Sequence, residues 1–449
     1  MYTFNYNKYK NNFQLERLLS GMSKNSNLHN AKVAKNDDFF TQLSDIENEL
    51  QHYWSHGINH FEGKSVLMNC DNPKFSNFWV YFHKNFNKLK LTRIGAIHYS
   101  TSEPAYYKEY TGGDDFDITV GNETLLRGNG DFRSEECIEI LKGYDMVVTN
   151  PPFSLFRDFI TQLMEYNKEF IIIGNRNALT YKEIFPLIKD NKMWLGVGFN
   201  AGNAYFKVSP DTDVSQFAKG VYNTENQTVK FRNCVWYTNI DLEKRHEWIP
   251  VAIEYNSTIH PKYDNYDAIN VDKMKEIPID YFESYVIDIE NKSRLTDYHI
   301  YDDIYEFLDA VKYKELPSDK IAIEHNGKLI IPVVKDNANE VNASLILKGI
   351  TGAEYRNGVM GVPITFLDKY CPEQFEILDL NPHFFSMVAQ GLPKPKQLSL
   401  KSVGKKDPYA RVLVKLRIYR EDTRIDKIKD DINRLKDSVQ NIVNITTNI

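Results

Sequence analysis

Thr149-Asn150-Pro151-Pro152-Phe153 closes the apolar run Tyr144-Asp145-Met146-Val147-Val148 and opens Ser154-Leu155-Phe156-Arg157-Asp158-Phe159-Ile160. The run before it predicts a buried parallel strand. The stretch after it has helical spacing with a serine near its start. Working outward, Lys64–Pro73 reads as a strand ending in the polar turn Asn69-Cys70-Asp71-Asn72-Pro73, followed by a helix through Phe78–Phe86. Arg93–Tyr99 and Glu169–Gly174 read as further strands, and Glu135–Leu141 as a helix after the turn Gly128–Arg133. Alternating strands and helices predict an α/β fold with a doubly wound, mostly parallel sheet.

The Asn-Pro-Pro-aromatic loop suits methyl transfer to a planar amino nitrogen. The Asn150 amide oxygen and the Pro151 carbonyl can accept the two hydrogens of an exocyclic NH2, while Pro151 and Pro152 fix φ and hold those acceptors toward the crevice. Phe153 offers a flat face to a base taken out of its stack. The amine lone pair is delocalised into the ring, and two acceptors localise it. A sulfonium methyl then needs in-line approach, which is a matter of positioning. An ordinary proline turn after a strand is the bland alternative.

In an open α/β sheet the ligand lies outside the carboxyl ends of the strands, so the turn with Asn69, Cys70, Asp71 and Pro73 is expected to meet a cofactor. It has no Gly-x-Gly, which favours a nucleotide without phosphates. Phe40-Thr41, just before a helix near Leu43–Trp54, can touch the other end of that cofactor, although Thr41 fits a helix N-cap as well. Asp131 can accept from an adenine amino group with Phe132 beside the ring, or can cap the helix that follows. His98 is read as a packed histidine.

These stretches resemble the EcoRI-type adenine-specific DNA methyltransferase family. The likeness is carried by Lys35–Thr41, Asn69–Pro73 with Ser76-Asn77-Phe78, Gly130–Ser134, Val148–Arg157, Ala178–Glu183, Tyr263–Asn270 and Gly358–Phe366, and covers about residues 29–281 and 357–420. It implies a sheet of the class I S-adenosylmethionine-dependent methyltransferase type with a C-terminal DNA-recognition region. It implies S-adenosylmethionine as cofactor and N6 of a flipped adenine in double-stranded DNA as acceptor. It implies a bacterial or phage restriction-modification setting, in which an endonuclease acting on the same site is a candidate partner. It assigns Phe40-Thr41, the 69–73 turn and Asp131 to the cofactor, and Asn150 to Phe153 to the target adenine. Methylation of an RNA adenine or a protein glutamine, and a non-catalytic DNA-binding or interaction protein, stay open on the loop alone. The absent glycine-rich turn counts against the glutamine enzymes, and the intact Asn150–Phe153 against the non-catalytic reading.

Four parts follow: a polar arm at 1–28, a catalytic domain at 29–250, a DNA-recognition region at 251–420 and an amphipathic helix at 421–449. Residues 282–356 read as an inserted subdomain with a helix near Tyr301–Tyr313 and strands near Ile321–Glu324 and Leu329–Val334. Asp319, Glu324 and Lys328 there supply nuclease residue types at a spacing that fits a nuclease poorly. The stripe Ile425, Ile428, Ile432, Leu435, Val439, Ile442 fits either a docked helix or a weak dimer contact through 425–442. The basic run from Lys394 to Arg420, with Lys405, Lys406 and Arg411, is expected to contact phosphates, and Arg157 and Arg176 sit close to the catalytic loop in sequence.

The 449 residues carry a net charge of −6, which argues against indiscriminate nucleic-acid binding but not against a local basic surface. No stretch approaches the roughly 18 uninterrupted apolar residues of a membrane span, and the N-terminus lacks a signal-peptide core, so a cytoplasmic enzyme is expected. Four widely spaced cysteines exclude a Cys-x-x-Cys site, and no metal site is expected.

Overall fold

A computed structural model describes residues 39–199, 203–208, 214–217, 220–264, 266–336, 352–380 and 411–420. The arm at 1–28, Lys405, Lys406 and the stripe 425–442 lie outside the described residues. The chain divides into two compact units, Met1–Ala178 with Gly198–Tyr237 and Leu179–Val197 with Thr238–Ile449.

The elements of the first unit, in chain order, are β1 (Phe39–Phe40), α1 (Leu43–Leu50), β2 (Ser65–Met68), α2 (Asn77–Lys84), α3 (Phe86–Leu89), β3 (Arg93–His98), β4 (Tyr106–Tyr110), β5 (Asn122–Leu125), α4 (Glu135–Lys142), β6 (Met146–Thr149), α5 (Phe156–Glu165), β7 (Glu169–Asn175), β8 (Asn203–Val208), β9 (Tyr222–Asn223), β10 (Thr228–Arg232) and β11 (Cys234–Thr238). The main sheet of this unit runs in the order β5-β4-β3-β2-β6-β7-β11. β2 pairs in parallel with β3 and β6, and β6 in parallel with β7. Every residue of β2 and β6 is buried, as expected of parallel strands covered on both faces. The helices cover them with Phe78, Trp79 and Phe82 of α2 and Phe159, Ile160 and Leu163 of α5. Each such side chain contributes roughly 1.5–3 kcal/mol on burial. Gly174 in β7 admits the Phe156 ring, which lies 2.5 Å from where a Cβ would stand.

The sheet is mixed α/β and mostly parallel at its centre, but the edge differs from the doubly wound expectation. β4 and β5 run antiparallel to β3 as a meander. β4 alternates buried Tyr106, Lys108 and Tyr110 with half-buried neighbours, the period of a strand with one covered face. A second, wholly antiparallel sheet has the order β1-β8-β10-β9.

In the second unit, residues 283–357 build a sheet of their own: His299–Tyr301, Ile321–His325, Lys328–Pro332, Glu283–Asp288 and Glu354–Asn357, in that order. The helix Ile304–Lys312, capped by the Asp303 carboxylate on the Tyr305 amide at 3.0 Å, buries Ile304, Phe307, Leu308 and Val311 with Val286, Ile323 and Ile330. Ile287, Leu295, Ala322, Leu329 and Ile331 form a second apolar cluster. Of the nuclease-like trio, Lys328 pairs with Asp288, and Glu324 with Lys292 at 2.5 Å. A four-stranded sheet of Ile269–Asn270, Met360–Pro363, Arg411–Leu416 and Phe375–Leu380 completes the described part. No helix among the described residues is long and apolar enough to cross a membrane.

Candidate active site

Polar loops gather at the carboxyl edge of the first unit's parallel strands. β2 ends in Asn69-Cys70-Asp71, and Asp71, 9 % exposed, holds this turn together. One of its oxygens accepts from the Ser76 hydroxyl at 2.9 Å, and the other accepts from the Thr149 hydroxyl at the end of β6. The same Ser76 oxygen caps α2, accepting from the Phe78 amide at 3.1 Å. A charge-assisted bond therefore ties the turn after β2 to the residue before Asn150. Ser76 and Thr149 both lie within the stretches quoted above, but no side-chain role was expected of either.

Asn150 is half-buried and Pro151 buried. Pro152 adopts φ −60° and ψ 120°, and the Leu155 amide donates to its carbonyl at 2.9 Å. The helix expected straight after the loop begins only at Phe156. Residues Phe153–Leu155 form a 3-10 turn, and Ser154 is exposed and does not cap it. Phe153 meets Phe231 at 5.8 Å and Phe206 at 6.5 Å between ring centres, both edge-on, and those two rings meet each other at 5.3 Å. Phe206 and Phe231 come from the antiparallel sheet, and no local signal marks them in sequence.

β1 joins the same sheet, with Phe40 opposite Lys207. Thr41 is buried, and its carbonyl accepts from Asn77 Nδ2 at 2.7 Å, which brings Phe40-Thr41 to the turn after β2. Phe40 lies 5.9 Å from Phe75 in that turn. The N-cap of α1 is Gln42, without a side-chain cap, so the capping alternative for Thr41 fails. The turn before α4 closes on the end of β3: the Ser100 amide donates to the Asn129 carbonyl at 3.0 Å. Gly130 adopts φ +80° with the His98 carbonyl 2.6 Å from where its Cβ would be, so a side chain there would clash.

Ser134, not Asp131, caps α4. Asp131 is held by Arg133, accepting from Nε at 3.0 Å and Nη2 at 2.6 Å, and these bonds hold its carboxyl below the usual carboxylate range. Burial, with the nearby Asp71 and Asp131 charges, pushes the Cys70 thiol well above its ordinary value. Phe132 is buried against Phe159 at 5.0 Å, with its carbonyl held by Gln162 Nε2 at 3.0 Å. His98 packs against Tyr106 at 5.1 Å. Asn69, Cys70, Asp71, Asp131 and Asn150 thus share one edge of the sheet, and Phe40-Thr41 borders it.

The basic residues are less uniform. Arg157 is exposed on the first turn of α5. Arg176 follows β7, with its amide on the Asn233 carbonyl at 2.6 Å. Arg411, in the second unit, donates to Asp272 at 2.8 Å with its side chain only 11 % exposed. It forms an internal ion pair there, whereas an open cation was expected.

This fold and edge are consistent with a methyltransferase. The family model described as adenine-specific methyltransferase EcoRI matches residues 27–345 and 348–417. The chain belongs to that family of adenine-specific methyltransferases. It is 37 % identical over 405 residues to the type II methyltransferase M.EcoRI of Escherichia coli, covering 87 % of this chain and 96 % of that one. It is 31 % identical over 393 residues to the type II methyltransferase M.MgeORF184P of Mycoplasma genitalium, covering 86 % and 97 %. The match to M.MpnI of Mycoplasma pneumoniae is 37 % over 259 residues, 56 % of this chain and 77 % of the relative. The family match runs unbroken through 282–345, so most of the stretch expected as an insertion lies inside it. No solved structure matches the chain.

Proposed function

We propose that this enzyme transfers a methyl group from S-adenosylmethionine to N6 of an adenine flipped out of duplex DNA, as the modifying half of a restriction-modification system. The observation that carries the reading is Asn150–Phe153 at the end of a buried parallel strand, tied through Thr149 and Asp71 to the polar turn after β2. Membership of the adenine-specific family supports the base, and the printed names of the relatives support the type II setting.

The residues at the edge fit the cofactor. The Thr41 hydroxyl and the Asn69 side-chain oxygen are buried and have no protein hydrogen-bond partner, an arrangement that calls for a ligand or water. Asn69, Cys70, Pro73 and Asp131 with Phe132 would hold its nucleoside, and Phe40-Thr41 its amino-acid end. Bound there, S-adenosylmethionine supplies an electrophilic sulfonium methyl.

The chain's own part is positioning. The Asn150 side-chain oxygen and the Pro151 carbonyl accept the two N6 hydrogens and aim the nitrogen lone pair. The Pro152 ring disfavours the helical conformation at Pro151, and Pro152 itself is extended at ψ 120°, so the Pro151 carbonyl does not turn back into a helix. Phe153, propped edge-on by Phe206 and Phe231, presents its face to the adenine. Asn150 is no base, so the N6 proton leaves to solvent after the methyl arrives. Arg157 and Arg176 contact phosphates near the flipped base. Arg411 would first have to release Asp272. The second unit, with its 283–357 sheet, reads the sequence.

Methylome sequencing of a host expressing the chain tests this reading. One recurrent motif with N6-methyladenine is expected. A host DNA without new N6-methyladenine, from cells holding soluble protein, overturns it.

A further inference from the structure

The Asp131 carboxylate stands where the turn before α4 meets the turn after β2. Its charge reaches Cys70 in the latter turn and Cys137 in the first turn of α4, and both thiols, raised first of all by burial, stay neutral beside it. The charged and titratable groups around it are Arg133, Asp71 next to Cys70, Asp158 on α5 at 4.0 Å from Arg133 Nη1, and Tyr99 at the end of β3. Among these, Arg133 is the one that bonds the carboxylate.

The bonding leaves a defined acceptor open. Oδ1 accepts from the Arg133 amide at 2.9 Å and from Nε at 3.0 Å, and Oδ2 accepts from Nη2 at 2.6 Å. An ionised carboxylate has about four lone-pair sites and no donor, so the site left over is on Oδ2. The planar fork fixes both oxygens at once, which a lysine cannot do. The guanidinium lies 5.6 Å from the centre of the Phe132 ring, itself buried against Phe159, so the fork has a fixed seat. The pair does not serve the helix, because Ser134 caps α4. It adds little to stability either, with the Arg133 side chain 48 % exposed.

We propose that Arg133 is a positioning residue that keeps Asp131 an acceptor and aims its open Oδ2 site at the amino group of the cofactor's adenine, so that the enzyme takes an adenosyl cofactor and refuses the inosyl counterpart. The inference rests on the function given above, which puts the cofactor's nucleoside at Asp131 and Phe132, and adds what selects its base. Adenine offers an N–H where hypoxanthine offers a carbonyl oxygen. Against an acceptor-only carboxylate the first makes a charge-assisted bond, and the second sets lone pairs against lone pairs. A protonated Asp131 has the opposite preference, because its O–H donates to that carbonyl. The hydrogen bonds from Arg133 hold the carboxyl below the usual carboxylate range. The adenine amino group needs the ionised form, so its bond is present above the Asp131 pKa and lost as pH falls through it. Arg133 moves that loss to lower pH.

The test measures, on the full chain without DNA, the affinities of S-adenosylhomocysteine and S-inosylhomocysteine by calorimetry from about pH 8 to about pH 5. The wild type should prefer the adenosyl compound by on the order of 10- to 100-fold, with a ratio that stays flat across the range. In Arg133→Met the ratio should fall several-fold as the pH is lowered, because Asp131 takes up a proton and accepts the inosyl compound. Arg133→Lys keeps the charge and should keep the ratio nearly flat while both affinities drop. Circular dichroism checks that each variant is folded. A residue that only shapes the turn would weaken both ligands alike and leave the ratio and its pH course unchanged, so an Arg133→Met enzyme with the wild-type ratio at every pH overturns the proposal. A wild type that binds the two compounds equally overturns it too, while methylation of duplex DNA still stands. A wild type that binds neither compound and methylates no DNA overturns the function itself.

Discussion

Thr149→Val is the sharpest probe of how the site is held. Thr149 is fully buried, and its hydroxyl donates to Asp71, whose other oxygen takes the Ser76 hydroxyl. Valine has nearly the same shape, so the substitution removes one donor and little packing. A hydrogen bond to a charged group contributes about 1.5–3 kcal/mol, and the carboxylate oxygen left behind is too buried to recover it fully from water. For a unit of this size each kcal/mol moves the thermal transition by about 2–4 °C, so a fall of roughly 3–12 °C is expected. The kinetic effect should be larger than stability explains, because the next residue is Asn150. A displacement of about 1 Å in the acceptor geometry can cost on the order of 100-fold in rate. Scanning calorimetry and single-turnover transfer of labelled methyl to a duplex read the two effects separately. Thr149→Ser keeps the hydroxyl and should restore most of both. A Thr149→Val enzyme with the wild-type transition and single-turnover rate would refute the idea that this bond couples the turn after β2 to the catalytic loop.

Three further outcomes are expected. Asn150→Ala should abolish methyl transfer while S-adenosylmethionine affinity, read by calorimetry, stays within a few-fold; near-normal turnover on duplex DNA would sink the acceptor mechanism. Phe153→Ala should lose more activity than Phe153→Tyr, and 2-aminopurine at the target position should brighten on binding, since extrusion costs a few kcal/mol that the ring helps offset; equal activity of the two variants counts against stacking. In the second unit, burial works against the charge on His246, yet Asp241 at 2.9 Å and Glu373 at 2.9 Å raise its pKa above the ordinary value. A raised folded pKa stabilises fully below the unfolded value near 6.5 and loses that contribution as pH rises through the folded one. The melting-temperature gap between wild type and His246→Gln should therefore be largest near pH 5.5 and close on the alkaline side. The effect is modest for a side chain 41 % exposed, and a gap that widens with pH refutes the pairing.

Much of the central sheet was readable because its signals are local. The apolar runs at Ser65–Met68, Arg93–His98, Met146–Thr149 and Glu169–Asn175 are continuous, and each is bounded by polar turn residues. The Asn-Pro-Pro-Phe loop is likewise local. The caps were harder, since Ser134, Asp131 and Thr41 all satisfy the same compositional rule, and geometry alone chose Ser134 and, against that rule, Gln42. The antiparallel sheet was not readable. β1 and β9 are two residues long, too short for a period, and β8 pairs with a strand far away in the chain. Phe206 and Phe231 owe their place to that pairing. Arg411 looked like one more cation in a basic run, and only the fold brings Asp272 to it.

The pairing of β1 with β8 also bears on how the enzyme comes into being. Phe39 and Phe40 leave the ribosome early, but their strand partners, Val208 and Lys207, are on the order of 170 residues further on. At about 5–20 residues per second that is a wait of roughly ten to thirty seconds. Until β8 and β10 emerge, Phe40-Thr41 has no sheet to join and Phe153 has no rings beside it. Closing so long a loop is a late step, rewarded only once the distant contacts form. The nascent chain can therefore assemble β2, β3, β6 and β7 and still be unable to work. The strand partner of Phe40 and the rings beside Phe153 arrive together, in one closing event, after the first unit is almost wholly made.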